Sequence, residues 1–83
     1  MHLTPAEAAL IEALERARSR ALGRRSLLRH LPARDHVLAD RRHERQVTIV
    51  VTAIRKKLGR DSIETVWGEG YRLGPGLQPK AAP

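Results

Sequence analysis

Cysteine is absent from this chain, so neither a disulfide framework nor a thiolate metal site can staple the fold, and stability has to come from packed aliphatic side chains. Aromatics are almost missing as well. One Trp, one Tyr and no Phe are too few for a module that stacks the bases of single strands or RNA on aromatic platforms. No apolar run reaches the roughly 18 residues a membrane span needs, and the residues after Met1 lack the basic-then-apolar order of a signal segment. Neither membrane insertion nor secretion is indicated, and a cytoplasmic protein is expected. Catalytic signatures are wanting too. His2, His30, His36 and His43 have no metal-ligand spacing and no accompanying cysteine or paired carboxylates, and no nucleophile elbow or phosphate-cradling glycine loop occurs. They read as solvated loop or helix-end histidines, and no enzymatic activity, metal or cofactor is expected.

What the chain does have is positive charge. With 83 residues there is room for one small domain, and 16 Lys and Arg against 9 Asp and Glu give a net charge of +7, which favours a polyanionic partner. The charge is unevenly spread. Seven arginines and no acid fall between Arg16 and Arg34, and seven basic residues accompany only Glu44 between Arg41 and Arg60. Solvated basic helix faces can look the same, so charge alone leaves nucleic-acid binding open.

Local signals order the chain into three helices and a hairpin. Thr4-Pro5-Ala6-Glu7 opens the first helix, with a Thr N-cap, Pro at the first helical position and Glu closing a capping box. Leu10, Ile11 and Leu14 share one face, Glu12 and Arg16 pair on another, and the helix is expected to run to about Arg20. Gly23 caps a short second helix carrying Leu27, Leu28 and Leu31, which Pro32 ends. A polar loop follows to about Asp40, and Asp40 or Glu44 starts the third helix. Between Val47 and Ile54 propensity and periodicity disagree. The β-branched residues favour a strand, but Val47, Val51, Ile54 and Leu58 form one helical stripe and Gly59 can end it as a left-handed residue. Helix is the reading chosen.

Ile63 to Trp67, then Gly68-Glu69-Gly70, then Tyr71 to Leu73 form a hairpin signature, since two glycines around one polar residue permit the positive φ angles of a tight turn. Residues 74–83 hold three prolines and little to bury, and are expected to be a flexible tail behind a domain at 1–73. On the third helix, Arg45, Ile49, Thr52 and Lys56 lie opposite the apolar stripe, with Gln46, Thr48 and Ala53 close by. A face basic at both ends and small or neutral between suits a helix laid in a DNA major groove. Contact with another protein element is the alternative for Ile49 and Thr52.

These residues carry a family likeness. Leu3-Thr4-Pro5-Ala6-Glu7, Arg24 before Leu27-Leu28, Arg45-Gln46-Val47, Ile54-Arg55-Lys56-Lys57-Leu58-Gly59, and Ile63-Glu64-Thr65-Val66-Trp67-Gly68-Glu69-Gly70-Tyr71-Arg72-Leu73 resemble the effector domain of OmpR/PhoB-type response regulators over residues 3–73. The resemblance implies a mainly α fold with a small β-hairpin, a three-helix winged helix-turn-helix. Its recognition helix at about 41–58 would enter the major groove of double-stranded DNA and its wing at 63–73 would lie near the minor groove. It implies phosphate contacts by Arg45 and Arg55 and a backbone approach by Thr65 and Tyr71. The expected DNA-binding set is Arg24, Arg41, Arg42, Arg45, Gln46, Thr48, Ile49, Thr52, Arg55, Lys56, Thr65, Trp67 and Tyr71.

The sequence also departs from the family pattern. Where many members place a minor-groove Arg, this chain has Trp67, which has two roles open to it: packing on the core side of the hairpin, or contact with the sugar-phosphate surface. Thr48, Val50, Thr52 and Ala53 replace frequent acidic, His and basic residues on the reading face, so base preferences should differ. Gln46 can pair with adenine, and Thr48, Ile49 and Ala53 can pack on thymine methyl groups. Family domains normally carry a four-stranded sheet and a receiver domain before the first helix, whereas this chain opens with Met1-His2-Leu3. Control by aspartyl phosphorylation is therefore not expected of this polypeptide unless it is an excised fragment. Without the sheet, Leu10, Ile11 and Leu14 stand to be partly uncovered, which suggests a homodimer through the first helix, unless the other helices already cover them. The overall expectation is a transcriptional regulator that binds specific duplex sequences at the nucleoid. The rival is a protein-interaction module docking on RNA polymerase or another regulator.

Overall fold

The computed structural model describes residues 2–18, 20–32 and 44–77. Among the described residues the element order is α1 (Pro5–Ala17), α2 (Arg24–His30), α3 (Arg45–Leu58), a 3-10 turn (Arg60–Ser62), β1 (Ile63–Val66) and β2 (Gly70–Leu73). This is the expected three-helix winged helix with a two-stranded hairpin. The loop after Pro32, together with Arg41 and Arg42 and the start foreseen for the third helix at 41, falls outside the described residues.

The start of α1 follows its capping box. The Glu7 backbone N–H donates to Thr4 Oγ1 at 3.1 Å and the Thr4 N–H donates to Glu7 Oε1 at 2.9 Å, so two otherwise orphaned donors are satisfied. Glu12 and Arg16 pair at 3.3 Å on the solvent side, a contact worth only a few tenths of a kcal/mol, about 0.3–0.5. The helix stops at Ala17, three residues short of the expected Arg20, because Arg18 turns the chain at φ 59°. Tertiary pairing explains the early stop. Leu22 has to run extended beside β2, where its N–H donates to Tyr71 O at 2.8 Å and its O accepts from Tyr71 N–H at 2.9 Å. A helix continued to Arg20 would leave too little chain to reach that position.

In α3 the helical periodicity prevails over β-branched propensity. Val47, Val51 and Ile54 are essentially inaccessible and close on Leu10, Leu14, Leu27, Ile63 and Leu73 in one core. Each of these side chains stabilises the fold by about 1.5–3 kcal/mol through burial, far more than the few tenths by which Val and Ile lose to Ala in a helix. Gly59 ends α3 at φ 108° and ψ 158°, its N–H donating to Arg55 O at 2.9 Å. The positive φ is as expected, but ψ is extended rather than left-handed helical, and it redirects the chain into the 3-10 turn.

Of the two outcomes the sequence leaves open for Leu10, Ile11 and Leu14, cover by the chain's own elements is the one the packing shows. Leu10 and Leu14 are fully buried beneath α2, α3 and β2, and Ile11 is half-buried against the same core. Leu3, near the start of the helix, is 37% exposed. Backbone hydrogen bonds continue past Leu73. Gly74 N–H donates to Ser62 O, Gly76 N–H to Asp61 O and Leu77 N–H to Gly74 O, at 2.9–3.0 Å, and Leu77 packs on the core. The first four residues of the expected tail, 74–77, are thereby held on the 3-10 turn.

Candidate nucleic-acid interface

The buried stripe of α3 fixes what its opposite side presents. Arg45, Thr52 and Lys56 are exposed and Ile49 is 60% exposed, with Gln46, Thr48 and Ala53 half-buried on the flanks. Among the described residues, neither Arg45 nor Lys56 makes an ion pair within the chain, so both ends of the face keep their charge for an external anion. The Thr52 hydroxyl donates to Thr48 O at 2.9 Å. Its proton is thus spent on the helix's own backbone, and what it offers outward is a methyl group and acceptor lone pairs.

The other cations nearby are committed to different degrees. Lys57, part of the basic run in the sequence, points to the far side and donates to Glu7 Oε1 at 2.7 Å and to His2 O at 3.0 Å. Glu7 is buried. The Lys57 hydrogen bond holds its carboxyl below the ordinary carboxylate value, burial opposing and the Thr4 backbone N–H assisting. This pair ties the start of α1 to the end of α3, and spacing within the sequence gives no hint of it. Arg24 and Arg25, at the start of α2, share Glu44 at 3.7 and 3.8 Å. Those distances and the exposure of all three side chains make the pairs weak, about 0–1 kcal/mol each, so phosphates can compete for both arginines.

The hairpin places the remaining candidates. Its strands pair Ile63 with Leu73, Glu64 with Arg72, Thr65 with Tyr71 and Val66 with Gly70, and Glu69 N–H closes the turn on Val66 O at 2.9 Å. Gly68 and Gly70 adopt φ 82° and 141°, the positive values the turn was expected to need. Trp67 lies in the turn rather than at the end of the first strand, and its side chain is 90% exposed. Of its two candidate roles, core-side packing is thereby removed. Glu64 and Arg72 form a cross-strand ion pair at 2.5 Å.

Arg55 is bonded to the hairpin. Its Nε and Nη2 donate to Ile63 O at 3.0 and 2.8 Å, and Nη2 also donates to Thr65 Oγ1 at 3.0 Å. Thr65, accepting that bond, retains its own hydroxyl proton for an outside acceptor. An open cleft of about 510 Å³ collects residues from three elements: Arg24 and Arg25 of α2, Glu44 before α3, and Thr65, Trp67 and Tyr71 of the hairpin. Arg24, Thr65, Trp67 and Tyr71, chosen from separate stretches of sequence, therefore border one surface. Arg41 and Arg42 lie outside the described residues.

Among the described residues no three His, Asp or Glu side chains come together in a way that could hold a metal ion, and no helix is long and apolar enough to cross a membrane. The family model described as transcriptional regulatory protein, C terminal, matches residues 1–73, from the first residue to the end of β2. No curated protein matches the chain.

Proposed function

Because the chain belongs to the transcriptional regulatory protein C-terminal family, a family of DNA-binding regulatory domains, we propose that it binds specific sequences of double-stranded DNA with α3 in the major groove and the hairpin at the adjacent minor groove. The observation that carries this reading is the two-sidedness of α3. Val47, Val51 and Ile54 are spent on the core while Arg45, Ile49, Thr52 and Lys56 are left outside. In this arrangement Arg45 and Lys56 neutralise phosphates, Gln46 reads an adenine edge, and Thr48, Ile49 and Ala53 meet thymine methyl groups. Arg24 adds a phosphate contact on releasing Glu44. Thr65 and Tyr71 approach the backbone, and Trp67 lays its ring and indole N–H along the sugar-phosphate wall.

Repeated half-sites would be occupied side by side. Leu10 and Leu14, which a homodimer through the first helix would need, belong to the chain's own core, and chromosomal DNA in the cytoplasm is the expected place of action. Docking on RNA polymerase or another regulator would draw on exposed Ile49 and Trp67. Selection of bound duplexes from genomic fragments, followed by mobility shift on the enriched pool, separates the two. Enrichment of a shared motif supports the proposal, and recovery of only random fragments at protein concentrations in the micromolar range removes it.

A further inference from the structure

On family resemblance alone Arg55 is an outward-facing cation for a phosphate, but its guanidinium is directed at the hairpin. Nε and Nη2 clasp one carbonyl oxygen, that of Ile63, and Nη2 reaches the Thr65 hydroxyl. The guanidinium carbon lies 5.9 Å from the centre of the Tyr71 ring on the opposite strand, at the outer limit of a cation–π contact. One side chain of the recognition helix thus touches both strands of the wing. We infer that Arg55 is a positioning residue that fixes the angle and stiffness of the hairpin relative to α3, and with them the position of Trp67.

The physical case rests on what holds the hairpin above its base: Ile63 and Leu73 pin the base in the core, and beyond them, among the described residues, each edge of the ribbon has its own tie. Two strands of four residues each make a ribbon that is marginal in isolation. On the β2 edge it is anchored by the paired backbone bonds between Leu22 and Tyr71. On the β1 edge the anchor is Arg55, half-buried and therefore shielded from water. Hydrogen bonds from a charged donor are the stronger kind, and the planar fork presents two donors to one acceptor in a way a lysine ammonium cannot reproduce. A binder with contacts in adjacent grooves depends on this stiffness, because the effective concentration of the second contact falls as the link between the two loosens. That last step rests on the DNA reading above, whereas the clasp itself does not.

The test begins on the free protein. Trp67 is the sole tryptophan of the chain, so its fluorescence anisotropy decay reports hairpin order directly, and hydrogen exchange at the Leu22 and Tyr71 amides reports the anchored edge. Arg55→Lys, which keeps the charge, and Arg55→Gln, which removes it, both speed the anisotropy decay and accelerate that exchange about tenfold, with helical circular dichroism unchanged. Thr65→Val removes only the hydroxyl leg and gives a smaller change of the same kind, which serves where an Arg55 variant fails to fold. On duplex DNA, Arg55→Lys loses affinity while its salt dependence keeps the wild-type slope. The inference is overturned if Arg55→Lys leaves Trp67 order and amide exchange at wild-type values. It is equally overturned if Arg55→Gln alters nothing except the log–log salt slope, by about 0.9 as for one lost phosphate. Since the free-protein readouts need no DNA, failure of the clasp and failure of the DNA reading are told apart.

Discussion

Replacing Gly70 with alanine tests how the hairpin is joined to the helical body. A Cβ at this position would lie 2.0 Å from Leu22 O, 2.6 Å from Leu22 C and 2.7 Å from Gly23 Cα, against an ordinary contact of about 3.5–4.0 Å. The two backbones would have to separate by more than 1 Å, which breaks the pair of hydrogen bonds between Leu22 and Tyr71, now 2.8 and 2.9 Å long. Two such bonds contribute about 1–3 kcal/mol together. Holding a non-glycine residue at the φ of 141° costs a further 1–3 kcal/mol or so, and the total is about 2–6 kcal/mol. Gly68 supplies the control, because its φ is also positive at 82° but nothing stands within 4 Å of a Cβ there. Gly68→Ala should cost only the conformational strain, about 1–2 kcal/mol. For a domain of this size each kcal/mol moves Tm by about 4–8 °C, so thermal unfolding followed by circular dichroism resolves the two variants. Amide exchange at Leu22 and Tyr71 should rise sharply in Gly70→Ala alone. A Gly70→Ala protein that melts no lower than Gly68→Ala would refute the close-approach argument.

Three other perturbations address the body of the domain and the wing tip. Glu7 has its folded pKa below the ordinary value of 4.5, so between the two the unfolded chain binds more protons. Its stabilisation is fully present above the ordinary value and is lost as pH falls through the folded one. Urea unfolding from pH 7 to pH 3 should therefore show a smaller acid loss for Glu7→Gln than for wild type, and parallel curves would contradict the Lys57 pairing. Leu10→Glu places a carboxylate where the wild-type side chain is 0% exposed, and should destabilise by about 4 kcal/mol or more. A folded, merely monomerised Leu10→Glu protein in light scattering would mean that this face is an interface instead. Trp67→Ala, at a side chain 90% exposed, should leave Tm within about 2 °C while weakening duplex binding roughly tenfold. Proportionate loss of both would return Trp67 to a packing role.

The parts of this fold that could be read from sequence are those governed by a local rule. The Thr4-Pro5-Glu7 capping box, the stripe of Val47, Val51, Ile54 and Leu58, and the glycines of the turn each satisfy a constraint confined to a few neighbouring residues, and each occurs where expected. What escaped depends on tertiary pairing. Leu22 joins β2 through a single bridge, too short to show any alternation, and that bridge is what ends α1 early. The hairpin pattern puts Trp67 at the end of a strand, where side-chain parity would decide which face it takes, but it lies in the turn and parity does not apply. In the candidate interface, exposure of Arg45, Ile49, Thr52 and Lys56 follows from helical geometry. The commitments of Lys57 to Glu7 and of Arg55 to Ile63 span 50 and 8 residues respectively, and a run of basic letters does not distinguish a cation spent on the fold from one presented to a partner.

Duplex affinity measured across a salt series, on a selected site and on random sequence, tests the central claim most directly when Arg45→Ala and Gln46→Ala are carried beside the wild type. The account predicts a linear fall of log K with log salt, about −0.9 per neutralised phosphate, with Arg45→Ala shallower by about one phosphate on every sequence. Gln46→Ala should keep the wild-type slope and lose about 1–3 kcal/mol on the selected site alone, relaxing the preference at one base pair. A salt-independent affinity, or equal binding of selected and random duplexes by the wild type, would contradict the assignment of α3 as a sequence-reading helix.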